Sequence, residues 1–137
     1  MSRGLKNNNP GNIRISGTKY EGEIVPSQDK AFKQFSEMRY GYRAMFVLLY
    51  TYQKKYNCNT IRQMISRYAP ENENNTGGYI ARVCKDSGVV ADTDITTTNR
   101  EVMIPIVAAM SAVENGVPAV MSDVIAGFDL FKEYLKK

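Results

Sequence analysis

A glutamate closes an apolar run at a place where helix stability would favour a lysine. In "VMIPIVAAMSAVENG" Glu114 is followed at once by Asn115 and by Gly116, a residue suited to ending a helix. A carboxylate there faces the negative end of the helix dipole, at a cost of about 0.3–1 kcal/mol. The dipole and partial burial would both raise its pKa, as a general acid working near neutral pH requires. The alternative for Glu114 is a solvated side chain beside a glycine cap.

Other candidate groups lie far from Glu114 in the chain. Glu71 and Glu73 sit in "APENENNT", with Tyr68 and Tyr79 on either side. Carboxylates among asparagines suit sugar hydroxyls or a cation, although a solvated loop with Asx turns has the same composition. No bidentate acid follows at calcium-loop spacing, so no metal site is read here. Asn7, Asn8, Asn9 and Asn12 crowd around Pro10-Gly11. Their amides donate and accept at once, which suits the hydroxyl and N-acetyl groups of glycans. Asparagine also stabilises turns and tolerates left-handed backbone. Of the two roles, lining a glycan groove is the one favoured. A tyrosine pair beside a polar loop can form a platform for sugar rings.

The chain of 137 residues has no histidine. That absence removes Ser/His and Cys/His nucleophile systems and argues against a catalytic zinc site. Acid–base work must rest on carboxylates, lysines or tyrosines, and no cofactor is indicated. Cys58 and Cys84 lack CxxC spacing and are read as reduced thiols. The length fits one domain, residues 1–137. Eighteen positive and fourteen negative residues leave a net charge of +4, scattered without a basic run, so no nucleic-acid partner is expected. No stretch approaches the ~20 apolar residues of a membrane span. The opening "MSRGLKNNNPG" has no apolar core of a signal peptide, and synthesis in the cytoplasm without one is expected.

Positioning these groups falls mainly to helices. The first forty residues are punctuated by Gly4, Gly11, Gly17, Gly22, Pro10 and Pro26, around short runs at Asn12–Ile15, Lys19–Ile24 and Ala31–Phe35. They read as turns and two or three short strands. From Gly41, "GYRAMFVLLYTYQKKY" is apolar nearly all round, as a central helix buried by its neighbours would be. Thr60-x-x-Gln63 opens a helix that Pro70 stops, and Asn75 or Thr76 caps the next, which ends at Gly88. Thr98-x-x-Glu101 caps the helix leading to Glu114, with Pro105 placed to kink or fray it. Ser122 caps a last amphipathic helix. About five helices and a small N-terminal β-hairpin region make an α+β domain.

"RGLKNNNPGNIR", "GYRAM", "ISRYAPENENNTGGYIARV" and "AVENG", in that order, resemble one family. It comprises phage and prophage proteins often described as virion structural proteins, similar in pattern to lysozyme-like lytic transglycosylases. The resemblance runs from Arg3 to about Gly127, with Tyr20 as the aromatic of the first hairpin. It implies a mainly helical lysozyme-like fold acting on the peptidoglycan glycan strand, with other virion proteins as further partners and a virion-associated or wall-released location. In wall-cleaving relatives the helix-ending glutamate precedes the asparagine turn, whereas here it follows, which implies a circularly permuted arrangement. Glu114 would then face the Asn8–Ile13 turn across a groove and act as the catalytic acid, with Glu73 as the alternative acid and Glu21, Glu23 or Glu73 as candidates for a second carboxylate. Asn7, Asn8, Asn9, Asn12, Tyr68, Glu73, Tyr79 and Asn115 would bind substrate. The reaction implied is cleavage of the MurNAc–GlcNAc linkage, as a transglycosylase or as a lysozyme-type hydrolase. The alternative is a non-catalytic virion structural or glycan-binding module that keeps the groove alone.

Overall fold

The computed structural model describes all residues, 1–137. In chain order it comprises α1 (Arg3–Lys6), β1 (Glu23–Ile24), β2 (Gln34–Phe35), α2 (Met38–Tyr56), α3 (Ile61–Tyr68), α4 (Thr76–Ser87), α5 (Arg100–Asn115) and α6 (Met121–Leu135). The α+β class therefore holds, with five longer helices and a small antiparallel pair in which Glu23 faces Phe35 and Ile24 faces Gln34. No helix is long and apolar enough to cross a membrane.

The central helix behaves as its all-round apolar sequence requires. In α2, Gly41 to Val47 and Leu49 are buried, and the helix packs along α6. Phe46 meets Phe128 edge-on at 5.1 Å between ring centres and stacks on Phe131 at 5.9 Å. The close crossing depends on Gly127, where a Cβ would stand 2.9 Å from the Arg43 amide nitrogen. The helix begins at Met38 rather than at Gly41. Gly41 is no boundary; it is small because a Cβ there would run into the Asn8 carbonyl and Pro10.

Capping chemistry sets most of the other ends. Thr60 accepts a hydrogen bond from the Gln63 amide at 3.1 Å, and the Gln63 side chain returns to the Asn59 amide at 2.8 Å. Asn75 caps α4, while Gly88 and Gly116 end α4 and α5 with φ of 76° and 72°. Two caps differ from expectation. Asn99, not Thr98, caps α5 through the Glu101 amide, and α6 begins after Val120 with no side-chain cap, so Ser122 lies inside it. Helix α5 continues through Pro105.

The N-terminal region holds together by a different chemistry. Its three short runs yield only the two-residue strand pair and one bridge, Arg14 to Phe32. Side chains complete the network instead. Asn9, fully buried, donates to the carbonyls of Ile13 and Lys33 and accepts from the Ile13 amide, all at 2.9–3.0 Å. Lys33, also fully buried, donates to Glu23 at 3.0 Å and to the Thr18 carbonyl at 2.7 Å. Asp29 receives Arg3, Asn7 and the amides of Ala31 and Phe32, and Arg3 above all holds its pKa far below the usual carboxylate range.

Candidate functional site

Glu114 is the next-to-last residue of α5, and two elements distant in sequence reach its carboxylate. Asn12 Nδ2 donates to one oxygen at 2.9 Å, and the Tyr79 hydroxyl donates to the other at 2.9 Å. The carboxyl group is partly buried. Burial raises its pKa above the ordinary value, and the bonds from Asn12 and Tyr79 offset only part of that rise. Tyr68 and Tyr79 have pKa values well above the usual tyrosine range, chiefly through burial, with the Glu114 charge adding to it, so both hydroxyls stay protonated donors.

Local backbone chemistry explains why Asn12 can reach so far. Asn8 and Asn12 adopt left-handed φ of 51° and 49°, a region asparagine tolerates better than most residues. Between them Asn9 locks the turn from inside. Asn115 then fastens this turn to the end of α5. Its amide donates to the carbonyls of Pro10 at 2.8 Å and Ser111 at 2.9 Å, and its oxygen accepts from Ser2 at 2.7 Å. Tyr68 supplies a further tie by donating to the Gly11 carbonyl.

The Asn12 side-chain oxygen is buried and has no hydrogen-bond partner. An amide presents a donor on one side and an acceptor on the other. Rotation of the amide by half a turn would let it accept a hydrogen bond from a neutral Glu114, just as it now donates one to the charged form. One neighbour can thus serve both protonation states of the acid.

Cavities flank Glu114 on both sides. One, of about 330 Å³, is lined by Asn12, Tyr20, Tyr52, Tyr68, Glu73 and Glu114 among others. The second, of about 470 Å³, runs past Tyr79, Arg82 and Gly116, and shares Asn74 and Glu114 with the first. The polar loop between α3 and α4 forms the opposite wall. Its ends are drawn together by a buried hydrogen bond from the Thr76 hydroxyl to the Ala69 carbonyl.

The expected site residues therefore separate. Asn12, Tyr68, Glu73, Tyr79 and Glu114 gather around the groove. Asn7, Asn8 and Asn9 do not line either cavity; their amides are engaged by Asp29, by the Phe35 carbonyl and by the Ile13 and Lys33 carbonyls. Their part is to shape the turn. Asn115 lines neither cavity; its side chain ties the turn to the end of α5 through Pro10 and Ser111. Tyr52 was missed from sequence, although it lines the groove with its pKa pushed up to about 12 by burial. Its only signal, an aromatic in the apolar run of α2, is shared with core residues. Cys58 and Cys84 are unpaired, and no group of three or more acidic or cysteine side chains is placed to hold a metal.

No family model matches the chain. Over 132 residues the chain is 36% identical to Protein P5 of Pseudoalteromonas phage PM2, an alignment that spans 93% of this chain and 81% of that protein.

Proposed function

Since this chain belongs to the family of Protein P5 of Pseudoalteromonas phage PM2, we propose that it is a phage- or prophage-borne, virion-associated protein whose groove takes a cell-wall glycan strand, with Glu114 as its acid. One observation carries the reading. A partly buried carboxylate with a raised pKa, held by Asn12 and Tyr79, stands where two cavities meet. The proposal includes a circularly permuted relation to lysozyme-like folds, since the helix-ending Glu114 follows the asparagine turn along the chain.

The chemistry follows from one acid. Protonated Glu114 gives its proton to the oxygen of the MurNAc–GlcNAc bond as the bond from that oxygen to C1 breaks. The resulting carboxylate then takes the proton of the muramyl 6-hydroxyl as its oxygen closes on C1, leaving a 1,6-anhydro ring and a regenerated acid. No second carboxylate is needed because the substrate supplies the nucleophile, whereas a hydrolase of the usual kind needs a partner about 5–9 Å away. Among the candidate partners, Glu23 is tied to buried Lys33 and Glu21 lies beside Arg43, which leaves Glu73 in the groove.

A second reading keeps the groove and drops the cleavage: a virion structural or glycan-binding module. It draws support from the two donors on Glu114, which favour the charged form over the proton-carrying one, and from the phage relative. Digestion of purified peptidoglycan by the wild type, Glu114→Gln and Glu73→Gln, with products read by mass spectrometry, separates the readings. Anhydro-muropeptides lost in Glu114→Gln but retained in Glu73→Gln support the transglycosylase. Reducing ends lost in both variants support a hydrolase. Retention on the wall without any release by the wild type supports the binding module.

A further inference from the structure

The buried cations of this protein are treated unequally. Lys33 has a carboxylate and backbone carbonyls around it. Arg43, on α2 and 5% exposed, has no hydrogen bond from its Nε. Its nearest carboxylate oxygen, on Glu21, lies 3.5 Å from Nε and belongs to a side chain that is 44% exposed. The guanidinium otherwise rests over the Tyr134 ring, 5.3 Å from its centre. A buried guanidinium nitrogen without a hydrogen-bond partner is costly, and an anion placed to accept from it would remove that cost.

Arg43 lines a cavity of about 790 Å³, in which Lys19, Lys55 and Arg67 face a single acid, Glu21. Arg67 is held in place by the rings beneath it, 3.4 Å from the centre of Tyr56 and 5.3 Å from that of Tyr52. Walls of low dielectric lined by one sign of charge concentrate the opposite ion. A guanidinium suits planar carboxylates and phosphates, which it can grip by two parallel N–H bonds.

We propose that this cavity is an anion-binding site in which Arg43 receives a carboxylate or phosphate group, with Lys19, Lys55 and Arg67 neutralising it. The exposed Glu21 is a weak internal competitor that yields to the ligand. The cavity shares Tyr20, Leu48 and Tyr52 with the one beside Glu114. The anion is therefore a substituent of the same polymer that fills the groove, an extension that rests on the glycan reading above, whereas the anion site itself does not.

The test is titration of the isotope-labelled full chain with inorganic phosphate, N-acetylmuramic acid or N-acetylglucosamine, read by amide chemical shifts. Phosphate should produce saturable shifts at Thr18–Glu21 and Thr51–Tyr56. Affinity should fall about tenfold or more in Arg43→Met and rise roughly fivefold in Glu21→Gln, whose exposed position spares the fold. N-acetylmuramic acid, whose free lactyl carboxylate stands in for the carboxylates of the wall's stem peptides, should shift the same amides where N-acetylglucosamine does not. If phosphate binds in this pattern while the two sugars behave alike, the anion site stands and the extension to the glycan polymer falls. Shifts that are diffuse, or unchanged in Glu21→Gln and in a folded Arg43→Met, would overturn the proposal.

Discussion

The N-terminal forty residues and the helical body solve the folding problem in opposite ways. The body is built on apolar contact: Phe46, Phe128 and Phe131 interlock between α2 and α6. The N-terminal region has almost no sheet and depends on Asn9, Asp29 and Lys33, polar side chains that satisfy its backbone from within. Apolar packing tolerates small shifts, whereas a hydrogen-bonded turn has one geometry. The candidate site lies on the seam between them. Its acid comes from the apolar body and its positioning amide from the polar turn, so the precise half supplies orientation to the robust half.

The largest expected effect lies in the body. Phe131→Ala should cost about 3–5 kcal/mol and lower the melting of the whole chain, since it empties the centre of the aromatic cluster. A melt in which only part of the signal shifts would show that the two regions unfold separately. Asn9→Ala should cost about 1–3 kcal/mol, because it strands the buried Ile13 amide and the Lys33 carbonyl. Hydrogen exchange should place that loss in residues before Met38 and leave the core of α2 protected; equal deprotection of both would mean that the two regions open as one unit.

The smallest effect is also the one with a reversed sign. Glu114 holds its proton to higher pH in the folded chain than in the unfolded one, so its stabilising contribution is complete below the ordinary value of 4.5 and is lost as pH rises through the raised folded value. Glu114→Gln should therefore be more stable than wild type at pH 7, by a small margin compared with the losses above. The difference should shrink below pH 4.5, where the wild-type carboxyl is neutral too. Thermal melts at both pH values check the sign. A less stable glutamine variant at pH 7 would mean that the Asn12 and Tyr79 bonds outweigh burial.

What the sequence disclosed differs between the same two regions. Helical spacing, the caps at Thr60 and Asn75 and the glycines at 88 and 116 located three of the five longer helices closely, because each acts within one turn of chain. The start of α2 was missed since Gly41 looks like punctuation, and only the approach of Asn8 explains it. The four residues of α1 carry too short a pattern to read. In the asparagine run the residue types pointed to a turn with work to do, but not to which amides face inward. Asn7, Asn8 and Asn9 differ from Asn12 only through partners such as Asp29, Phe35 and Lys33, more than twenty residues away. Composition cannot distinguish them.

The hydrogen bond from Asn12 to Glu114 joins residues 102 positions apart. During synthesis the early turn leaves the ribosome long before α5, and α6, which α2 must pack against, follows later still. The groove is therefore among the last features to be completed, and a nascent or prematurely ended chain carries its two halves without joining them.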